Sequence, residues 1–445
     1  MSSQNSVPPA LNDLLDPLLD AGYKGFPHHS PALRRSAIGA QGWSVLRGDM
    51  PLPLAVIRQD ALQHNVQWMQ SFVQKRGIGI APHGKTTMSP QLFERQLQAG
   101  AWGMSFASVT QLRAGLAAGA QRCIIANQVF RGVDLHAIAE LIHARPTLQI
   151  VFLVDSLAQL ELIEAWRLAS SPDTVFDVLL EVGIPGGRTG CRDHAQALTL
   201  AERLYLSPSV RLVGVECYEG LAATGESAKD SAYTQELMLR FINVVRACDE
   251  RHLFDAEQVL VTAGGSAIFD LVATHLKPVL SRPVQGLLRS GCYITHDQGN
   301  YKRMSRAMDA RIGCGDGLHA AMQVWAAVQS CPEPGLAILT VGKRDISYDQ
   351  EMPCVLQWCK FGSEQLLPPS LGWKISNMND QHAYLNFDVQ ESAAPPERDL
   401  NKGILQVGDL VCLGLSHPCT TFDKWRWMPL VDEKYQVLDA IITCF

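Results

Sequence analysis

From residue 53 to about residue 293 the chain alternates short apolar runs with longer stretches in which apolar residues recur at helical spacing. The runs begin around Val56 and continue at Ile78-Gly79-Ile80, Gly103-Met104-Ser105-Phe106, Cys123-Ile124-Ile125-Ala126 and Ile150-Val151-Phe152-Leu153-Val154. They go on at Val178-Leu179-Leu180-Glu181-Val182, Leu212-Val213-Gly214-Val215, Val259-Leu260-Val261 and Gln285-Gly286-Leu287-Leu288. Helix-like stretches over 90–99, 109–118, 157–169 and 233–251 lie between them. Such alternation predicts repeated strand–helix units around a parallel sheet. About eight units predict a closed (β/α)8 barrel of TIM type in preference to an open doubly wound sheet.

Nearly every run ends in small or reactive polar residues: His83 and Lys85, Ser105 and Ser108, Asn127, Asp155, Arg188, Tyr218, Gly264-Gly265-Ser266 and Gly291-Cys292-Tyr293. Loops are polar anyway, but in a barrel the carboxyl ends of the strands converge on one rim, where chemistry occurs. Past Tyr301 the pattern changes to strand-like runs over 337–342, 382–387 and 407–413, separated by Gly, Pro and Asp without long helices. This predicts a β-rich second domain. The expected organisation is an N-terminal arm over 1–52, a barrel over 53–297 and a β-rich domain over 298–445. The arm holds one short amphipathic helix candidate over 10–19, expected to pack on the barrel or the second domain. The proline-rich, charged stretch over 391–401 reads as an exposed loop.

The composition narrows the class. A chain of 445 residues with 47% hydrophobic content supports roughly two domains with a large core. A net charge of −6 without a sustained basic block turns away from nucleic acid and anionic membrane, and points to a small-molecule partner. The opening residues show no secretory pattern and no later stretch reads as a membrane span, so the expected location is cytoplasmic. The twelve cysteines are scattered singly with no C-x-x-C pair, and most are expected to be reduced core residues.

Lys85 stands where an apolar strand empties into the polar turn Pro82-His83-Gly84-Lys85-Thr86. A Schiff-base lysine must be partly desolvated to attack a carbonyl at neutral pH, and a strand end inside a barrel rim would do this. A lysine on a surface loop is the plain alternative. His417 and Cys419, two apart after the run ending at Leu415, would point to the same side of an extended segment and could grip one ion. Sulfur favours zinc over magnesium or manganese; a core cysteine beside a chance histidine is the other reading. Arg188, in Gly187-Arg188-Thr189-Gly190, could face a ring nitrogen or a carboxylate, or simply solvent. Gly264-Gly265-Ser266 and Gly291-Cys292-Tyr293 could present backbone amides to a phosphate, on the two late strands where barrels often hold one.

Taken in order, the turns at Lys85 and Arg188, the motifs Gly214-Val215-Glu216-Cys217-Tyr218-Glu219-Gly220, Thr262-Ala263-Gly264-Gly265-Ser266 and Arg289-Ser290-Gly291-Cys292-Tyr293, and His417-Pro418-Cys419 resemble the D-serine dehydratase and D-threonine aldolase family. These are pyridoxal-phosphate enzymes of the alanine-racemase fold, fold type III. The resemblance covers nearly the whole chain. It implies a barrel, a β-domain that includes the N-terminal arm, a homodimer, Lys85 as the cofactor lysine, and zinc or another divalent metal on His417 and Cys419. It places His83, Arg188, Tyr218, Gly264, Gly265, Ser266, Gly291, Cys292 and Tyr293 around pyridoxal 5'-phosphate, with Arg188 toward the pyridine nitrogen. The chain departs from some members at Phe106-Ala107-Ser108, where they carry a glutamine near the cofactor.

Dehydratase members show His-x-Cys and aldolase members His-x-Asp, so the resemblance implies dehydration of D-serine or a related β-hydroxy-D-amino acid. Lys85 would be the base and the metal would activate the leaving hydroxyl. The alternatives are metal-dependent D-threonine aldol cleavage and a non-catalytic pyridoxal-phosphate-binding protein, which would need no metal pair. A racemase would need a second base, which no tyrosine motif identifies.

Overall fold

The computed structural model describes residues 11–171, 173–220, 222–387 and 405–445. The chain divides into two compact units, one from Val66–Tyr293 with Arg303–Gly317, the other from Met1–Asn65, Ile294–Lys302 and Leu318–Phe445.

The first unit is the expected barrel. Its eight strands are Gly79–Ile80, Met104–Phe106, Arg122–Gln128, Gln149–Val154, Phe176–Val182, Val210–Tyr218, Val259–Gly264 and Val284–Leu288. From the second to the eighth each pairs in parallel with the next in sequence. The eighth pairs with the first, Leu287 beside Gly79 and Leu288 beside Ile80. Between the first and second, Trp102 N–H donates to Ile80 O at 2.8 Å and Ser105 N–H to Pro82 O at 2.9 Å, which closes the ring. Ala81, Ile124, Val151, Leu153, Leu179, Val213, Leu260 and Leu287 pack together as one buried cluster. Val151 and Leu153, two apart on one strand, show the alternation that sends every second side chain to the same face. Each large aliphatic side chain buried there contributes about 1.5–3 kcal/mol.

The helices fall between the strands much as the spacing predicts, at Pro90–Gln98, Leu112–Ala117, Leu157–Ser170 and Ser227–Glu250.

The run at Val56 is the exception. Leu54–Arg58 belongs to the other unit, where it pairs antiparallel with Met322–Glu333 and parallel with Trp427–Val431. An apolar run followed by the 17-residue helix Gln59–Lys75 looks like one more barrel unit, but periodicity does not say which strand a strand pairs with.

The second unit is built on a nine-stranded sheet. Its long strand Met322–Glu333 pairs with Leu54–Arg58, Leu336–Leu339 and Leu410–Gly414. The described N-terminal residues join this unit through Arg35, whose guanidinium meets Asp439 at 2.6 Å, and through Val437 N–H, which donates to Trp43 O at 2.8 Å. The helix expected over 10–19 is shorter, Leu11–Leu15, and Leu18–Leu19 instead pairs with Leu33–Arg34; residue 10 lies outside the described residues. The loop expected over 391–401 also lies outside them. None of the twelve cysteines forms a disulfide and seven are buried. No described helix is long and apolar enough to cross a membrane.

Candidate active site

In the barrel unit the first strand runs out at Pro82 and His83, and the single turn Gly84–Thr86 carries Lys85. Gly84 is wedged between Phe93 and Phe106, so the turn is anchored while the amine is not. Lys85 is exposed, where partial desolvation was expected from its place on the rim. The turn sets it beyond the last strand residue, at the open end of the barrel. His83 stays in extended backbone and its Nδ1 accepts from Lys85 N–H at 3.4 Å. Burial holds this imidazole well below its usual range, and the charges of Lys85, Arg289 and Arg188 push it the same way. The ring is therefore neutral at neutral pH and stands among three cations, an environment that draws an anion to this rim.

The arginine turn is tied down on all sides except at its guanidinium. Glu181, buried, accepts from Thr189 Oγ1 at 2.6 Å and from Gln128. Asp155 accepts from Gly190 N–H at 3.0 Å, and Arg192 donates to the carbonyls of Ile184, Gly187 and Thr189 at 2.7, 2.8 and 3.0 Å. Arg188 is exposed and lies over the Tyr218 ring, 5.0 Å from its centroid.

The two late glycine turns form one cup. Ser266 Oγ accepts from Gly291 N–H at 3.2 Å and from Cys292 N–H at 3.3 Å, so two backbone donors and a hydroxyl converge. The packing there leaves no room for side chains. A Cβ on Gly291 would stand 2.4 Å from His83 O, and one on Gly265, whose φ is +124°, would stand 2.3 Å from Glu219 Oε1. Gly264 is as tight, with Arg289 Nη2 at 2.7 Å from where its Cβ would be. Tyr293 turns its phenol away into the protein, accepting from Gln96 Nε2 at 2.9 Å, so a ligand would meet its backbone rather than its hydroxyl.

Three buried groups beneath this rim were not singled out from the sequence. Arg289 contacts Glu216 at 2.5 Å and donates to Thr262 Oγ1 at 2.8 Å and to Cys217 O at 3.2 Å, tying the sixth, seventh and eighth strands together. Burial pushes the Glu216 carboxyl up, against the pull of Arg289. Glu219 is fully buried, and neither carboxyl oxygen has a hydrogen-bond partner among the described residues. The usable signal was two carboxylates in and just after the apolar stretch that starts at Leu212, since such residues are almost never buried without a reason.

In the other unit the strand Leu410–Gly414 leads to His417, which is extended and caps the one-turn helix Pro418–Phe422. Cys419 is thus the second residue of a helical turn and not part of an extended segment, so strand alternation does not align the two side chains. Proline, preset for the first helical position, starts the turn between them. His417 Nδ1 meets Asp349 Oδ2 at 2.5 Å, and Thr420 Oγ1 donates to Asp349 Oδ1 at 2.8 Å. With Nδ1 so engaged, Nε2 is the nitrogen left to a ligand, and an imidazole nitrogen and a thiolate are donor types that zinc takes. Asp349 lies 68 residues earlier in the chain and no spacing links it to His417.

The donors present therefore fit both groups that the motifs imply. The amide and hydroxyl cup suits a phosphate, Lys85 offers an amine, and His417 with Cys419 suits a divalent metal.

Comparison with known proteins agrees with this division. Residues 57–282, just over half of the chain, match the family model described as "Alanine racemase, N-terminal domain". Residues 321–431 match the model described as "Putative serine dehydratase domain". The chain is 24% identical over 356 residues to a D-threonine aldolase of Arthrobacter sp, covering 78% of this chain and 82% of that one. It is 27% identical over 170 residues to the D-threo-3-hydroxyaspartate dehydratase of Delftia sp. (strain HT23), covering 38% of this chain and 43% of that one. Among solved structures, D-threonine aldolase from Filomicrobium marinum shares the fold, with a TM-score of 0.73 at 21% identity over 90% of this chain and 97% of that one.

Proposed function

We propose, for a chain that belongs to the alanine racemase N-terminal domain family, a pyridoxal-phosphate- and zinc-dependent dehydratase, an ammonia-lyase acting on D-serine or a related β-hydroxy-D-amino acid. The observation that carries this reading is His417 with its Nδ1 held by Asp349, which leaves Nε2, with Cys419 nearby in sequence, as the donors that would hold a metal. The relatives support the substrate class, since both are named for β-hydroxy-D-amino acids.

When bound, the cofactor is an electron sink for the substrate α-carbon, and the metal is a Lewis acid for its β-oxygen. The residues divide the remaining work. Gly291 N–H, Cys292 N–H and Ser266 Oγ would hold the phosphate, with Gly264 and Gly265 keeping their turn close. Arg188, which lies over the Tyr218 ring, would with it line the cofactor's ring, and a guanidinium facing the ring nitrogen would keep its own proton and leave that nitrogen unprotonated. Lys85 Nζ takes the α-proton, while neutral His83 beside it does not compete as a second cation. The β-hydroxyl would leave with its bonding electrons and take up the proton that Lys85 removed, departing as water; the enamine released would tautomerise by protonation at its β-carbon to an imine, whose hydrolysis gives keto acid and ammonia. From D-serine the keto acid is pyruvate.

The breadth of the likeness to the Arthrobacter enzyme favours a second reading, aldol cleavage to glycine and an aldehyde. The two differ only in whether the β-oxygen leaves or loses a proton, and Cys419 in the metal pair favours dehydration.

The test is to incubate the purified, cofactor-loaded protein with D-serine, D-threonine and D-threo-3-hydroxyaspartate and to assay keto acid, ammonia and glycine separately. Keto acid and ammonia in equal amounts are expected, and a chelator should stop their release while the cofactor stays bound. Glycine from D-threonine without keto acid would reverse the assignment. Turnover that survives prolonged chelation would remove the metal from it.

A further inference from the structure

The loop that carries Asp349 is stitched to the His417 turn at more points than a surface contact needs. Asp349 uses both carboxylate oxygens there, one on His417 Nδ1 at 2.5 Å and one on Thr420 Oγ1 at 2.8 Å. Its neighbour Ser347, buried, accepts from His417 N–H at 3.3 Å, and Ser347 N–H donates to Thr421 Oγ1 at 3.0 Å. The side chains of His417 and Asp349 are 22% and 38% exposed, so as a plain ion pair they would add little stability. A carboxylate on one imidazole nitrogen has a different effect. It fixes the tautomer with the proton on Nδ1, sets the ring's orientation, and makes Nε2 a better electron-pair donor.

From this geometry we infer that Asp349 is a positioning residue for the metal. It holds His417 with Nε2 presented to the ion, and Thr420 in turn holds Asp349. The inference rests on the zinc reading above and adds to it a residue that touches neither metal nor substrate. A carboxylate in this role typically sets metal affinity by about 10–100-fold. Asparagine at position 349 would keep an oxygen for Nδ1–H but lose the charge, so it should fall between aspartate and alanine.

The experiment is zinc affinity, measured by competition with a chromophoric chelator on the cofactor-loaded protein, for the parent and for His417→Ala, Asp349→Ala and Asp349→Asn. Cobalt(II) absorption would report the ligand field in each. The expected result is loss of the site in His417→Ala, binding weakened about 10–100-fold in Asp349→Ala and less in Asp349→Asn, with the cofactor spectrum unchanged. Excess zinc should restore turnover to Asp349→Ala, which a role in folding alone would not allow. Parent-like zinc affinity and cobalt spectrum in both Asp349 variants, with the site lost in His417→Ala, would overturn the inference and leave the zinc reading standing. Parent-like affinity in His417→Ala would instead remove the zinc reading, and the role of Asp349 with it.

Discussion

Glu219 shows how strongly one buried group can couple this fold to pH. Burial pushes its carboxyl from an ordinary value of 4.5 up to about 8, and the opposing pull of its own backbone N–H and of the Arg289 charge is too small to undo this. In the unfolded chain the proton is lost near 4.5, while in the fold it stays until about 8. Unfolding therefore releases a proton between these values, and stability falls as pH rises through the window by about 1.4 kcal/mol per pH unit, then levels off. Glu219→Gln should remove that slope. Urea titrations should show parent and variant alike below pH 4.5 and the variant more stable at pH 8; parallel curves throughout would mean the carboxyl finds a partner in solution. Single residues were also where sequence reading was sharpest and narrowest. Lys85, Arg188 and Ser266 stood out because a reactive group follows an apolar run. Glu219 and Asp349 did not, because what they do depends on burial and on a contact 68 residues away.

The cup made by the turns after the seventh and eighth strands depends on the absence of side chains. Gly291→Ala would force its Cβ against His83 O, 2.4 Å away, and must move either the amides of 291 and 292 or the turn that bears Lys85. Pyridoxal 5'-phosphate should then dissociate faster, while free pyridoxal, which has no phosphate to lose contact with, should be held about as in the parent. Equilibrium dialysis with each form checks this, and equal weakening of both would place the defect at the amine and not at the cup. Most barrel strands were legible because an apolar run ended by a polar turn is enough to mark a buried strand. Two assignments failed for one reason, that local pattern is silent about tertiary partners. Leu54–Arg58 has the right apolar character and pairs in the other sheet, and His417-Pro418-Cys419 follows a strand but turns into a helix.

Across the whole molecule, the two family matches fall in different units, 57–282 largely in the barrel and 321–431 in the sheet. The fold class was readable from the change of periodicity past Tyr301. The bounds at 53 and 298 were not, since Leu54–Arg58 pairs in a sheet whose other strands begin at Met322, while Arg303–Gly317 falls with the barrel unit. Within the barrel unit, chain segments far apart in sequence converge on His83, in the turn that carries the exposed lysine: the charges of Arg188 and Arg289 act on its ring, and Gly291 of the amide cup packs on its carbonyl. The account stands on that lysine being the cofactor's covalent partner. Its most direct measurement is to load the protein with pyridoxal 5'-phosphate, reduce with borohydride, digest, and locate the added pyridoxyl mass by peptide mass spectrometry. The account predicts a single modified site at Lys85; a label on another lysine, or none with the cofactor bound, would contradict it.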